Sequence, residues 1–227
     1  MESLLNIGLY SVPEAARMIH VPDWRIRRWL CGYEFTTKGV HRSSPAVWQG
    51  QIDPLDGKLA LGFRDLLEAR CVHAFIEAGV SWPFLRKAHI QARHLISHDH
   101  PFCTNRFSTD GRSIFYETRE GSAEACLWDM VDLQRVFDQI IRPFLKDVEY
   151  DEEQSPARWW PCGREHSIVL DPLRSLGQPI ISTVGIPTRV LAASVAGNGS
   201  ADKVARWFEI PLAMVVEAVE YEKSLMA

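Results

Sequence analysis

Residues 11–30, SVPEAARMIHVPDWRIRRWL, constrain the fold of this chain more than any other stretch. Nearly every position in them serves one of two short helices or the turn between. Ser11 can accept the orphan amide at the start of a helix, while Glu14, three residues on, reaches back to the Ser11 amide as a capping box. Val12, Ala15, Ala16 and Ile19 then recur at helical spacing on one apolar face. His20-Val21-Pro22 ends this helix, because a residue preceding proline avoids helical dihedrals. Pro22 and Asp23 suit the first turn of a second helix, where a missing donor costs nothing and negative charge meets the positive end of the dipole. Ile26, Trp29 and Leu30 turn inward. Arg25 and Arg28 share the outward face with Arg27 beside them, the arrangement in which a recognition helix meets phosphates and guanine edges. Trp24 and, from the first helix, Arg17 belong to the same candidate DNA-contact set.

The chain has 227 residues, enough for a substantial core in one large domain or a few small ones. Cys31, Cys71, Cys103, Cys126 and Cys162 are odd in number, scattered and without a C-x-x-C, so neither a disulfide framework nor a zinc finger is indicated. With no basic leader and no apolar run of spanning length, a soluble cytoplasmic protein without a membrane partner is expected. Net charge is −4, but residues 1–100 hold 12 Lys and Arg against 10 Asp and Glu, whereas residues 101–227 hold 13 against 19. Positive charge therefore concentrates at the helix pair, and the acidic end is employed differently.

Past the helix pair, residues 38–63 read as extended structure and turns, a β-hairpin wing on which Lys38, His41 and Arg42 would add phosphate contacts. Residues 63–78 form a helix stopped by Gly79, and Ser81 caps another lined by Phe84, Leu85, Ala88, Ala92, Leu95 and Ile96. His94, His98, His100 and Cys103 are metal-ligand types at short spacing, although imidazoles at a helix C-terminus account for them as well. RFSTDGRSIFYE carries the Asp110-Gly111 signal of a hairpin. Residues 127–145 are expected to be mostly helical, limited by Pro143. Residues 146–150, 157–160 and 167–170 are short strands, with Trp159 and Trp160 in the core. The fold class expected is mainly α with small β elements (α+β). Its parts are a winged helix-turn-helix over 1–100, a mixed connecting segment over 101–166 and a C-terminal helix-turn-helix-like domain over 167–227.

The order of helix pair, wing and LGFRDLLEARCVHAFIEAGVSWPFLRKA resembles the MerR-like winged helix-turn-helix over roughly residues 9–97. That resemblance implies that Arg25, Arg27 and Arg28 touch DNA. The chain departs from the family where a long antiparallel dimerisation helix would follow, since a segment punctuated by proline and glycine stands there instead.

The last stretch repeats the first. Setting Ser11 on Ser200 brings Ala16 onto Ala205, Arg17 onto Arg206, Pro22 onto Pro211, Ile26 onto Val215 and Leu30 onto Val219. The outward face differs: Arg25, Arg27 and Arg28 correspond to Met214, Val216 and Glu217. Such a face ignores phosphate and suits a protein partner or self-association, or else Met214 and Val216 are plain core. Residues 167–225 also resemble the small C-terminal domain of VapB-type antitoxins. The likeness lies in Gly177 to Ile181 (G-x-P-I-I), Ile186 to Thr188 (I-P-T) and V-A-x-x-F-E-I-P before the last helix. It implies a toxin–antitoxin operon, a cognate PIN-like ribonuclease toxin neutralised by direct binding, and autorepression through operator DNA.

The expected protein is thus a non-enzymatic, DNA-binding antitoxin, a homodimer because a short recognition helix needs a second half-site, with no cofactor and no metal. The alternative is a stand-alone MerR-like regulator sensing a metal or small ligand at the His94 to Cys103 cluster. No glycine-rich phosphate loop, G-x-S-x-G or H-E-x-x-H supports an enzyme.

Overall fold

The computed structural model describes residues 6–37, 39–120 and 135–226. Strand β1 (Tyr10–Ser11) leads into α1 (Val12–Ile19) and α2 (Asp23–Cys31). Then β2 (Tyr33–Thr37) and β3 (Val40–Ser44) pair as an antiparallel hairpin, and β4 (Ala60–Leu61) returns to pair with β1. The hairpin therefore starts at Tyr33 and not past Lys38 as expected. Alternation of Tyr33 and Phe35 with polar residues marks the strand, and Gly32, at φ 72°, turns the chain into it directly from α2. Residues 45–59 form the loop behind it. Lys38 itself lies outside the described residues.

Helices α3 (Phe63–Glu77) and α4 (Trp82–Ile96) follow. Ser81 stands at the N-cap of α4, yet its side chain makes no capping bond, and Leu95 faces solvent while His89 turns inward. A short 3₁₀ turn (Pro101–Cys103) precedes α5 (Asn105–Glu120). This helix corrects the hairpin expected at RFSTDGRSIFYE. Phe107, Gly111, Ile114, Phe115 and Thr118 recur at helical spacing and are buried, so tertiary packing overrides the Asp110-Gly111 turn signal. Gly111 is needed as the contact point: a Cβ there would sit 2.7 Å from the Phe137 ring and 2.9 Å from Phe107. Within the expected helix of residues 127–145, positions 127–134 lie outside the described residues, as does Cys126. The remainder is a π-turn (Phe137–Ile141) running into α6 (Arg142–Lys146). Pro143 does not end the helix. It occupies the first turn of α6, where the preceding π-turn has already redirected the hydrogen bonding through Arg142 N–H to Phe137 O.

A four-stranded antiparallel sheet comes next, in the order β5 (Val148–Tyr150), β6 (Pro156–Trp159), β7 (Ile168–Leu170) and β8 (Pro179–Ile181). The three short strands expected from the sequence are thus present, with residues 179–181 adding the fourth. Helices α7 (Thr188–Asn198), α8 (Ala201–Phe208) and α9 (Leu212–Ser224) complete the described chain.

Two apolar cores hold these elements. The larger runs from Tyr10 to Leu170 and crosses residue 100 without a break. At its centre Phe75 of α3 meets Phe102, Phe107, Phe115 and Phe137, with Phe75 and Phe115 stacked at 4.9 Å. The smaller gathers Ile168, Ile181, Leu191, Val204, Val215 and Ala218. Arg70 of α3 lies between the Phe144 and Trp159 rings, 3.4 and 4.6 Å from their centroids, and donates to Phe144 O at 2.8 Å. Burial in this sandwich lowers its pKa to about 10. Trp159 is buried as expected, whereas Trp160 is half-buried and donates to Glu149.

Candidate nucleic-acid interface

The first helix pair is built as its residues dictate. Ser11 Oγ accepts the Glu14 N–H, and Glu14 Oε2 accepts the Ser11 N–H at 2.8 Å. His20 closes α1 in the left-handed region at φ 53°, and Val21 N–H donates to Ala16 O at 3.0 Å. Pro22 then starts α2 with Ile26 fully buried and Trp29 and Leu30 beside it, Trp29 stacking on Trp82 of α4.

On the outer face of α2 the three arginines have different surroundings. Arg25 is turned back onto α3, its Nη1 2.9 Å from Glu77 Oε1 and 3.3 Å from His73 Nδ1. The Arg25 hydrogen bond, with His73 beside it, holds the Glu77 carboxyl below its ordinary pKa. Partial burial, joined by the Arg25 charge and opposed by Glu77, lowers the His73 imidazole. Arg27 is exposed and stands 3.9 Å from Asp23, a separation of little energetic weight at a surface. Arg28 lies between two rings, its guanidinium carbon 4.9 Å from the Trp24 centroid and 4.6 Å from Tyr33.

Trp24 is half exposed and stands between Arg25 and Arg28, with Arg25 5.5 Å from its centroid. Tyr33 continues to Phe35 at 5.6 Å. Glu77, Arg25, Trp24, Arg28, Tyr33 and Phe35 therefore form an alternating ladder from α3 across α2 onto the hairpin. In the register Phe35 opposite Arg42, Arg42 shares the hairpin face of Tyr33 and Phe35. His41, opposite Thr36 and 3.2 Å from its hydroxyl, lies on the other face. Arg17 stands apart from the ladder, in a cleft of about 210 Å³ lined also by Glu14, Gln178, Thr188, Arg189 and Glu222.

The histidine cluster is dispersed into a structural network. His100 Nε2 lies 2.7 Å from Asp65, a fully buried carboxylate that also accepts from Trp48 Nε1 and from the Gln51 and Gly62 N–H groups. Glu68, equally buried, accepts the Phe102 and Cys103 N–H groups and lies 2.9 Å from His89 Nε2. Cys103 is buried with its thiol directed at His100 O, and burial pushes that thiol well up. His94 is exposed. Among the described residues no group of three or more His, Cys, Asp or Glu is arranged to hold a metal ion.

Sequence reasoning missed this network, although a signal for it exists. Leu66, Leu67, Ala69, Cys71, Val72, Ala74 and Phe75 leave no solvent face on α3 for Asp65 and Glu68. Carboxylates so placed must find donors inside.

The second helix pair reproduces the first turn in its dihedrals. Glu209 has φ 53° and ψ 41° where His20 has 53° and 43°, and Pro211 matches Pro22 within 5° in ψ. Ile210 N–H donates to Ala205 O at 3.0 Å, as Val21 does to Ala16. Ser200 Oγ accepts from Lys203 N, and Lys203 stands where Glu14 closes the capping box in the first pair. On α9, Met214 packs partly buried on the smaller core, with Thr183 Oγ1 3.9 Å from its sulfur. Glu217 accepts the Ser167 N–H at 2.9 Å and meets His166 at 3.1 Å. Val216 is exposed.

No helix among the described residues is long and apolar enough to cross a membrane. No family model matches the chain. Over 203 residues, 82% of each chain, it is 28% identical to VapB45 of Mycobacterium tuberculosis, a protein whose name marks it as a candidate antitoxin. Its fold is similar to that of the Mycobacterium tuberculosis protein Rv2018 in an X-ray crystal structure, with a TM-score of 0.70, 18% identity and coverage of 95% of this chain and 99% of that one.

Proposed function

We propose that this chain is the antitoxin of a type II toxin–antitoxin pair, a non-enzymatic protein that neutralises a PIN-like ribonuclease toxin by direct binding and represses its own operon. Similarity to VapB45 over most of both chains is the observation that carries the antitoxin reading. The DNA-binding part is supported by the capped helix pair, its basic α2 and the hairpin that follows, an arrangement of the MerR kind. Phosphate and base contacts come from Trp24, Arg27 and Arg28 on α2, from Arg42 on the wing, and from Lys38. Arg25 braces them from Glu77, and Arg17 flanks them on α1. A homodimer supplies the second half-site. Residues 167–227 carry the toxin side, with Val216 the outward member of the set Met214, Val216 and Glu217.

The test uses the full chain co-expressed with the product of the adjacent gene. The expected result is a stable complex in which RNA cleavage by that product is silenced, together with retardation of the chain's own promoter duplex. Cleavage that proceeds undiminished in the presence of this chain overturns the antitoxin reading. Failure to retard the promoter overturns autorepression.

A further inference from the structure

The three arginines of α2 differ in what their donors already do. Arg25 spends Nη1 on Glu77 and His73, and Arg27 leans toward Asp23. Arg28 is exposed and has no hydrogen-bond acceptor or carboxylate partner among the described residues, yet its guanidinium carbon lies over both the Trp24 and the Tyr33 ring, 4.9 and 4.6 Å from their centroids. A guanidinium held over ring faces has no acceptor there for its N–H donors, which stay free to match O6 and N7 of guanine. Because the two rings already confine the group, less freedom is lost when its donors are used.

Trp24 lies one helical turn before Arg28 on the same face of α2. Four residues advance about 6 Å along the helix and a base step is about 3.4 Å, so the indole is placed to meet a base pair one or two steps from the one that Arg28 meets. Half of Trp24 is exposed, and what it offers is apolar ring surface. In the major groove the one apolar group on a base edge is the 5-methyl of thymine. We propose that Trp24 is a specificity residue that seats a thymine 5-methyl one or two base pairs from a guanine read by Arg28. This rests on the DNA-binding reading above.

The operator need not be mapped for the test. The promoter duplex upstream of the chain's own gene is amplified once with thymidine triphosphate and once with deoxyuridine triphosphate and uracil-substituted primers, which removes every 5-methyl and leaves base pairing intact. Binding of both duplexes is measured for the parent and for Trp24→Ala, whose exposed site leaves the core untouched. The parent is expected to bind the uracil duplex more weakly by about fourfold per methyl lost from the indole. Trp24→Ala is expected to bind both duplexes equally. A parent indifferent to the methyls overturns the proposal while leaving DNA binding intact, and so does a Trp24→Ala variant as methyl-sensitive as the parent. A uniform weakening of both duplexes by Trp24→Ala, with methyl sensitivity retained, would overturn it too and place the indole on the backbone instead. A parent that binds neither duplex overturns the DNA reading and this inference together.

Discussion

His98 shows how one side chain ties charge to stability. Its Nδ1 accepts the His100 N–H at 3.0 Å, and its Nε2 lies 3.1 Å from Ser155 Oγ. Burial, then the charges of Arg64 and His100, hold its pKa below 6.5, against a smaller opposing effect of Glu68. The unfolded chain therefore binds more protons than the folded one between that lowered value and 6.5. The contribution of His98 is complete above this window and is lost as pH falls through it. His98→Asn keeps an acceptor for the residue 100 N–H, as an Asx turn does, but cannot titrate. Urea midpoints of the parent should fall between about pH 7.5 and about pH 5.5, and those of the variant should fall less. Equal slopes would show that the proton goes elsewhere. Some slope remains in the variant because the His73 pKa is lowered as well.

Among the elements, α5 is the one whose identity depends on its neighbours. Asp110-Gly111 is a hairpin signal within a chain read alone, but Phe107 and Phe115 find Phe75, Phe102 and Phe137 only in the folded molecule. Gly111→Ala would gain up to ~1 kcal/mol in helix propensity but would drive a methyl into the Phe107 and Phe137 rings. Overpacking of this kind costs roughly 1–3 kcal/mol, so a net loss of stability is expected in thermal unfolding. An unchanged or higher midpoint would mean that the rings yield.

The same contrast separates what a sequence displays from what it conceals. The two helix pairs were legible because capping serines, prolines and apolar spacing are local signals, and both turns formed where those signals stand. The engagement of Arg25 with Glu77 spans 52 positions, and the Asp65 and Glu68 networks span up to 35, distances over which no local pattern carries information. Arg25, Arg27 and Arg28 are alike in sequence, and only packing distinguishes their roles.

At the scale of the whole molecule, the first helix pair is joined to the distant end of the chain. The buried Tyr10 hydroxyl donates to Gly177 O at 2.6 Å, and Leu9 N–H donates to Leu176 O at 2.9 Å. Gly177, at φ 77°, brings its backbone so close that a Cβ would collide with the Tyr10 hydroxyl. Tyr10→Phe leaves the Gly177 carbonyl without this partner. Such a loss costs on the order of 1–3 kcal/mol, which urea unfolding would register. An unaltered unfolding midpoint would mean that the carbonyl finds another donor. The larger core includes Leu170, and β7 and β8 complete the sheet. A fragment ending at residue 166 therefore loses Leu170 from the first core as well as the second helix pair.

The Tyr10–Gly177 bond also sets a clock. Its partners are 167 positions apart, so on the ribosome Tyr10 is made long before the carbonyl that will accept its proton. At about 5–20 residues per second the wait is on the order of ten to thirty seconds. The first helix pair can form during that interval and seat itself on β4, α3 and α4, which are made early, while its tie to the C-terminal part waits for residue 177. A nascent chain halted before residue 177 would thus carry a helix pair seated on its own core but lacking the Tyr10 tie, which synthesis past that residue supplies.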